Sequence, residues 1–301
     1  MRILLSILLF AMWSLAFPLG RYLVEYASPV FVTGSRMTIA GLLLIGYMFI
    51  KKRKSLIISK KQLLSVVILG VISIYLSNVL EFYGLKTISA GKTCFIFSLS
   101  PLFAALFSYF HFKEKITPLK WVGLGVGFGA VIPALLSSSP GALYGFGVAE
   151  LAVAVAALCS VYGWVLLRMI VKDNEMSPLV ANGYSMLIGG AIALGQSYMT
   201  EDWSPLPIES GQIWPILGGV GVLILISNLL CYNLYGYLLK KMTATLMSFF
   251  GLLSPIYASL LSYLILGELP RVEILASTFV VIFGLWLVYK AEQKQGYILA
   301  K

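Results

Sequence analysis

The chain has 301 residues, of which 59% are apolar and only 11% charged. Soluble proteins carry about 25% charged residues, so a soluble fold, a disordered chain and a secreted disulfide scaffold are all excluded. The net charge of +10 would suit nucleic acid, but no basic patch interleaved with aromatics is present, and the basic residues fall at the ends of apolar runs.

A helix crossing a bilayer needs about 20 apolar residues. Ten such runs are predicted, at 3–21, 30–50, 63–83, 88–110, 119–136, 145–167, 178–199, 213–236, 242–266 and 272–289. The first follows Arg2 and lacks a small-x-small cleavage site, so it reads as a retained helix and not a signal sequence. It carries Trp13 and Phe17 on one face. The second run holds Arg36 about two turns in. In the third, Tyr75, Asn78, Glu81 and Phe82 recur at three- and four-residue spacing, which places them on one helical face. Polar groups inside a span are costly and point to function, so this face is the first candidate for a substrate cavity. Helix-to-helix hydrogen bonding is the competing use.

Glu81 reads as a proton-coupling group or a counter-charge to a cationic solute, unless it lies at the interface. Arg36 would pair with Glu81, bind a substrate carboxylate or form a structural link. Lys92, at the start of the fourth run, is expected to snorkel to the interface. Pro101 stands mid-run and removes a backbone hydrogen bond, which marks a hinge. His111, three residues before Glu114, is too little for a metal site. The fifth run carries Gly123, Gly125, Gly127 and Gly129, suited either to a homodimer interface or to a packing seam within the bundle. Tyr162 in the sixth run stands where Trp13 stands in the first. Asn228, Tyr232 and Tyr235 share a face of the eighth run, and the ninth holds Pro255 and Tyr257. Cys94, Cys159 and Cys231 are dispersed in apolar runs and imply no disulfide framework.

Basic residues set the orientation. The link after the second run holds Lys51, Lys52, Arg53, Lys54, Lys60 and Lys61. Counting alternate links and both termini, 17 of the 22 Lys and Arg lie on one side, while the link 200–212 on the other is acidic. Both termini are therefore expected to be cytoplasmic.

Residues 83–114 and 237–268 align without a gap at an offset of 154, with 13 identities in 32 positions. A weaker match at an offset of 149 pairs Ser28-Pro29 with Ser177-Pro178. Five spans per copy is an odd number, so the second copy must enter the membrane from the opposite side. The expected fold is an all-α membrane protein of ten transmembrane helices in two inverted five-helix repeats. The first is assigned to 1–140, the second to 141–290, and a cytoplasmic tail to 291–301. Inverted repeats characterise many secondary transporters. A phosphate-cradling Gly-x-x-x-x-Gly-Lys loop is absent, and no Ser/His/Asp set can be assembled. The sequence therefore predicts no catalytic residues, no metal and no cofactor. A membrane enzyme and a non-transporting membrane module are the alternative readings.

The twin segments SLSPLFAALFSYFHFKE (98–114) and LLSPIYASLLSYLILGE (252–268), the aromatic opening at Trp13, Arg36 and the glycine-rich fifth run resemble the EamA-type drug/metabolite transporter superfamily. The resemblance implies a basket of ten helices in the bacterial inner (plasma) membrane, with a central cavity lined by spans 1–4 and 6–9. It implies a small-molecule substrate moved by alternating access, driven by protons or by exchange. Similar members move amino acids, their derivatives or other small metabolites, and some take up S-adenosylmethionine. The substrate-binding set so read is Trp13, Phe17, Tyr75, Asn78, Glu81, Phe82, Tyr162, Asn228, Tyr232 and Tyr257, with Arg36 and Glu81 as a charge pair or coupling site.

Overall fold

Lipid offers the backbone no hydrogen bonds, so an apolar chain must close its own, and helices do so. The computed structural model describes residues 2–88, 90–138, 147–172, 176–266 and 272–297. Among them the chain is helical apart from short links and one isolated antiparallel bridge between Ala27 and Ile208. The expected 140/141 boundary between the halves and Glu268, the repeat partner of Glu114, lie outside the described residues, as do Arg271 and the last four residues of the tail.

The helices are α1 (Arg2–Trp13), α2 (Ala16–Tyr26), α3 (Pro29–Lys52), α4 (Lys60–Leu69), α5 (Ser77–Thr87), α6 (Ala90–Phe97), α7 (Ser100–Phe112) and α8 (Pro118–Ser138). They continue as α9 (Val148–Lys172), α10 (Pro178–Thr200), α11 (Ile213–Leu223), α12 (Tyr232–Leu239), α13 (Ala244–Phe250), α14 (Ser254–Leu266) and α15 (Val272–Lys294). Several form longer rods. Arg2–Tyr26, Pro29–Leu56, Lys60–Thr87, Lys92–Phe112, Val148–Lys172, Pro178–Thr200 and Ile213–Leu239 are seven runs long and apolar enough to cross a membrane. Large apolar side chains such as Trp214 and Phe279 stay exposed on the outside, an arrangement that suits lipid and not water.

Local chemistry explains where helices begin and break. The repeated Ser-Pro pair is a helix start: Ser177 caps α10 by accepting the Val180 N–H, with Pro178 in its first turn. At α3 the Ser28 side chain makes no such bond. Glu201 does the capping from a distance, accepting the N–H groups of Val30 and Phe31 at 3.0 and 2.9 Å. The α4–α5 and α11–α12 rods each contain a π-helical stretch, at Gly70–Leu76 and Ile224–Cys231. These begin at the same offset of 154 residues as the sequence repeat. A π stretch strands backbone carbonyls, and an asparagine side chain covers them in each rod. Asn78 donates to Ser73 and Ile74 oxygens at 3.0 and 2.9 Å, and Asn233 to Asn228 and Leu229 oxygens at 3.4 and 2.8 Å.

The most extensive helix pairs are α3 with α10 and α8 with α15. Glycine sets the close approach in both. A Cβ on Gly41 would stand 2.6 Å from the Leu187 nitrogen, and one on Gly190 would stand 2.5 Å from the Thr38 nitrogen. Gly34 faces Leu194 while Gly183 faces Ile45. Rising numbers on α3 thus meet falling numbers on α10. In α8, Gly123 and Gly127 pack inside the molecule, against α15 and against Phe249 and Leu252, whereas Gly125 and Gly129 face open space. Lys92 does not snorkel. It forms an ion pair with Glu150 at 2.5 Å, because α6 lies against α9 and brings the ammonium to that carboxylate.

Candidate functional site

A central cavity lies where α1, α2, α3, α5, α6, α9, α12 and α13 converge, with about 900 Å³ of atom-free space including its mouth. Its lining is largely apolar and aromatic with a few convergent polar groups, the make-up of a small-molecule site. Six of the expected binding residues line it: Trp13, Phe17, Asn78, Glu81, Phe82 and Tyr232. Arg36 joins them.

The charged wall comes from the first half. Arg36 is buried, and its Nη2 donates to Asn78 Oδ1 at 2.6 Å while its Nε has no hydrogen-bond partner. The Phe82 ring lies 4.7 Å from its guanidinium carbon. Glu81 is half-buried, and no ion pair joins it to Arg36 among the described residues. Asn78 gives its amide hydrogens to its own helix and its oxygen to Arg36, and stands 3.5 Å from the Tyr232 hydroxyl. It therefore positions the guanidinium more than it offers free polar atoms.

The aromatic wall draws on both halves. Trp13 lies 5.4, 5.2 and 5.6 Å from the ring centres of Trp164, Tyr232 and Tyr235, and Trp164 and Tyr235 stand 4.3 Å apart. Phe10 stacks on Trp13 at 6.1 Å. Phe17 sits beyond the break between α1 and α2, with its ring 6.0 Å from Phe97. Ser77, Ser100, Ser160, Ser227, Ser248 and Ser254 put small hydroxyls around the same space.

Four expected binding residues are not brought to the cavity. Tyr75 lies inside the π stretch, where the four-residue face spacing no longer holds, and its hydroxyl donates to Gln196 at 2.8 Å. Tyr162 packs on Phe107 and His111. Asn228 is buried and bonds to Met37 Sδ at 2.9 Å. Tyr257 packs against the core. The amide that matches Asn78 is Asn233, because each π stretch shifts the register that a plain helix would keep. Trp164, Phe10 and Cys94 were missed, whereas Tyr235, on the eighth-run face with Tyr232, does line the cavity. An aromatic two residues from Tyr162 was the only signal for Trp164. Pro101 and Pro255 open α7 and α14 just after the interruptions at Ser98–Leu99 and Gly251–Leu253. They sit at helix starts and not inside continuous helices. Proline removes the donor that a continuous helix would aim at the carbonyl four residues back; the Gly251 carbonyl accepts from the Ser254 N–H instead, and both Phe97 and Gly251 line the cavity.

The profile of the EamA-like transporter family matches residues 1–136 and 147–290. The chain belongs to the EamA-like transporter family. Its relatives include the S-adenosylmethionine/S-adenosylhomocysteine transporter of Chlamydia muridarum (strain MoPn / Nigg), 39% identical over 96% of this chain and 91% of that protein. The protein of the same name from Chlamydia trachomatis serovar L2 is 39% identical over 95% of this chain and 88% of its own. An uncharacterized inner membrane transporter of Escherichia coli (strain K12) is 26% identical over 93% and 88%. A crystal structure with 18% identity superposes over 97% of this chain and 96% of that one, with a TM-score of 0.76, a likeness of fold. This EamA protein is a multi-pass membrane transporter of a small molecule, and its relatives are transporters and not enzymes.

Proposed function

We propose that this protein exchanges S-adenosylmethionine and its neutral product S-adenosylhomocysteine across the bacterial inner membrane. It does so by alternating access between two inverted five-helix halves, with both termini cytoplasmic. The observation that carries the reading is the central cavity, in which unpaired charges of both signs stand beside a cage of four aromatic rings. S-Adenosylmethionine carries a sulfonium, a flat adenine and a zwitterionic head. Aromatic faces attract cations and stack on planar rings, and Arg36 and Glu81 supply opposite charges. The names of the chlamydial relatives point the same way.

The inverted arrangement has its own support. The α3–α10 contacts run in opposite directions about one centre, with Gly34 on Leu194 mirrored by Gly183 on Ile45. A two-fold axis perpendicular to both helices generates that pattern, and such halves can rock about a fixed site. Two states of similar energy then open the cavity to either side, driven by exchange or by a proton gradient.

Counterflow in proteoliposomes tests the proposal. Vesicles loaded with unlabelled S-adenosylhomocysteine should accumulate labelled S-adenosylmethionine well above empty vesicles, and Glu81→Gln should slow that uptake by roughly 10-fold or more. Equal uptake by loaded and empty vesicles would refute exchange.

A further inference from the structure

The cavity is chemically divided, and the division fixes which end of a substrate goes where. Both charged groups, Arg36 on α3 and Glu81 on α5, come from one side. The cage of Trp13, Trp164, Tyr232 and Tyr235 carries no formal charge. Arg36 is almost wholly buried, yet among the described residues its only hydrogen bond is to a neutral amide oxygen and its Nε is orphaned. A buried guanidinium without a carboxylate is costly, and Asn78 and Phe82 only hold it in place. Glu81, on the same cavity, has no ion-pair partner among the described residues. Two opposite charges that share a wall without pairing make a slot that a zwitterion completes.

We propose that the substrate binds with its α-amino acid head against Arg36 and Glu81 and its cationic, flat end in the aromatic cage. Arg36 takes the carboxylate and Glu81 the ammonium, so Arg36 sets selectivity for carboxylated solutes. The reverse orientation is disfavoured because it would leave a hard carboxylate facing ring faces, which carry negative potential. It would also leave the orphaned guanidinium donor unfilled. The assignment rests on the exchange reading above.

The experiment measures competition against labelled S-adenosylmethionine in wild-type proteoliposomes by S-adenosylmethionine and by its decarboxylated analogue. The analogue keeps the ammonium, sulfonium and adenine and loses only the carboxylate. It should compete about 10- to 100-fold more weakly, the value of a charge-assisted hydrogen bond pair. In Arg36→Gln the two should compete within about 3-fold of each other, since the group that tells them apart is gone. Equal competition in the wild type overturns the orientation, as does a full preference retained in Arg36→Gln. The wild-type comparison stands even if that variant fails to fold. Absence of any S-adenosylmethionine exchange in the wild type overturns the exchange reading and this one together. Normal exchange that ignores the head group overturns the orientation alone.

Discussion

Trp164 and Tyr162 are two residues apart on α9, and that offset sends one ring into the cavity and the other to Phe107 and His111. Side chains separated by two positions on a helix point about 200° apart, so only one can face a given cavity. Trp164→Leu should raise the KM for exchange by roughly 10-fold, through loss of one cage wall. Tyr162→Phe should leave it within about 2-fold, because its neighbours are packing contacts. Initial rates across substrate concentration in proteoliposomes check both. Equal effects of the two changes would mean that the cage does not hold the substrate. Asn78 shows why a polar residue in a span resists interpretation from its type alone. Its spacing with Glu81 and Phe82 brought it to the cavity, but its hydrogens are taken by the Ser73 and Ile74 carbonyls.

Glycine decides how closely helices meet. Gly41 and Gly190 lie at the α3–α10 crossing, where an added Cβ would meet backbone nitrogen at 2.6 and 2.5 Å. Backbone cannot step aside as a flexible side chain can. Gly41→Ala should therefore cost about 1–3 kcal/mol, visible as a lower Tm of the detergent-purified protein. Gly46→Ala, on the same helix with nothing within 4 Å, serves as the control and should not lower it. A Tm unchanged in both would show that α3 and α10 are not closely packed. The proline interruptions behave similarly. Ser100-Pro101 and Ser254-Pro255 were legible as breaks because proline lacks an N–H. The paired π stretches were not, since one extra residue per turn leaves composition and hydropathy unchanged.

Three ion pairs are present among the described residues, and each joins a residue within 1–136 to a residue beyond 147. They are Lys92 with Glu150, Lys120 with Glu292 at 2.7 Å, and Glu114 with Arg168 at 2.6 Å. Lys120 and Glu292 are 1% and 0% exposed, and the Thr243 hydroxyl donates to the second Glu292 oxygen. Breaking such a pair leaves a lone buried charge. Lys120→Met should cost about 3–5 kcal/mol, while Lys120→Met with Glu292→Leu should recover most of that loss. Thermal unfolding of the single and double variants checks the pairing. A double variant no more stable than the single one would mean that the charges are not coupled.

Length and hydropathy established a multi-span helical chain, and the 154-residue repeat pointed to two related copies. These are periodic properties, read along one dimension, and lipid leaves the backbone little choice but helix. The twin Ser-Pro segments carried the family in the same way. Which side chains share the cavity was decided only by packing. The π stretches rotate whatever follows them, so Tyr75 left the face that Asn78 and Glu81 kept, and Asn233, not Asn228, is the second-half asparagine that covers stranded carbonyls as Asn78 does. Trp164 and Tyr235 meet Trp13 across the boundary between the halves. Such contacts join residues far apart in the chain, and no local pattern encodes the angle at which two helices cross.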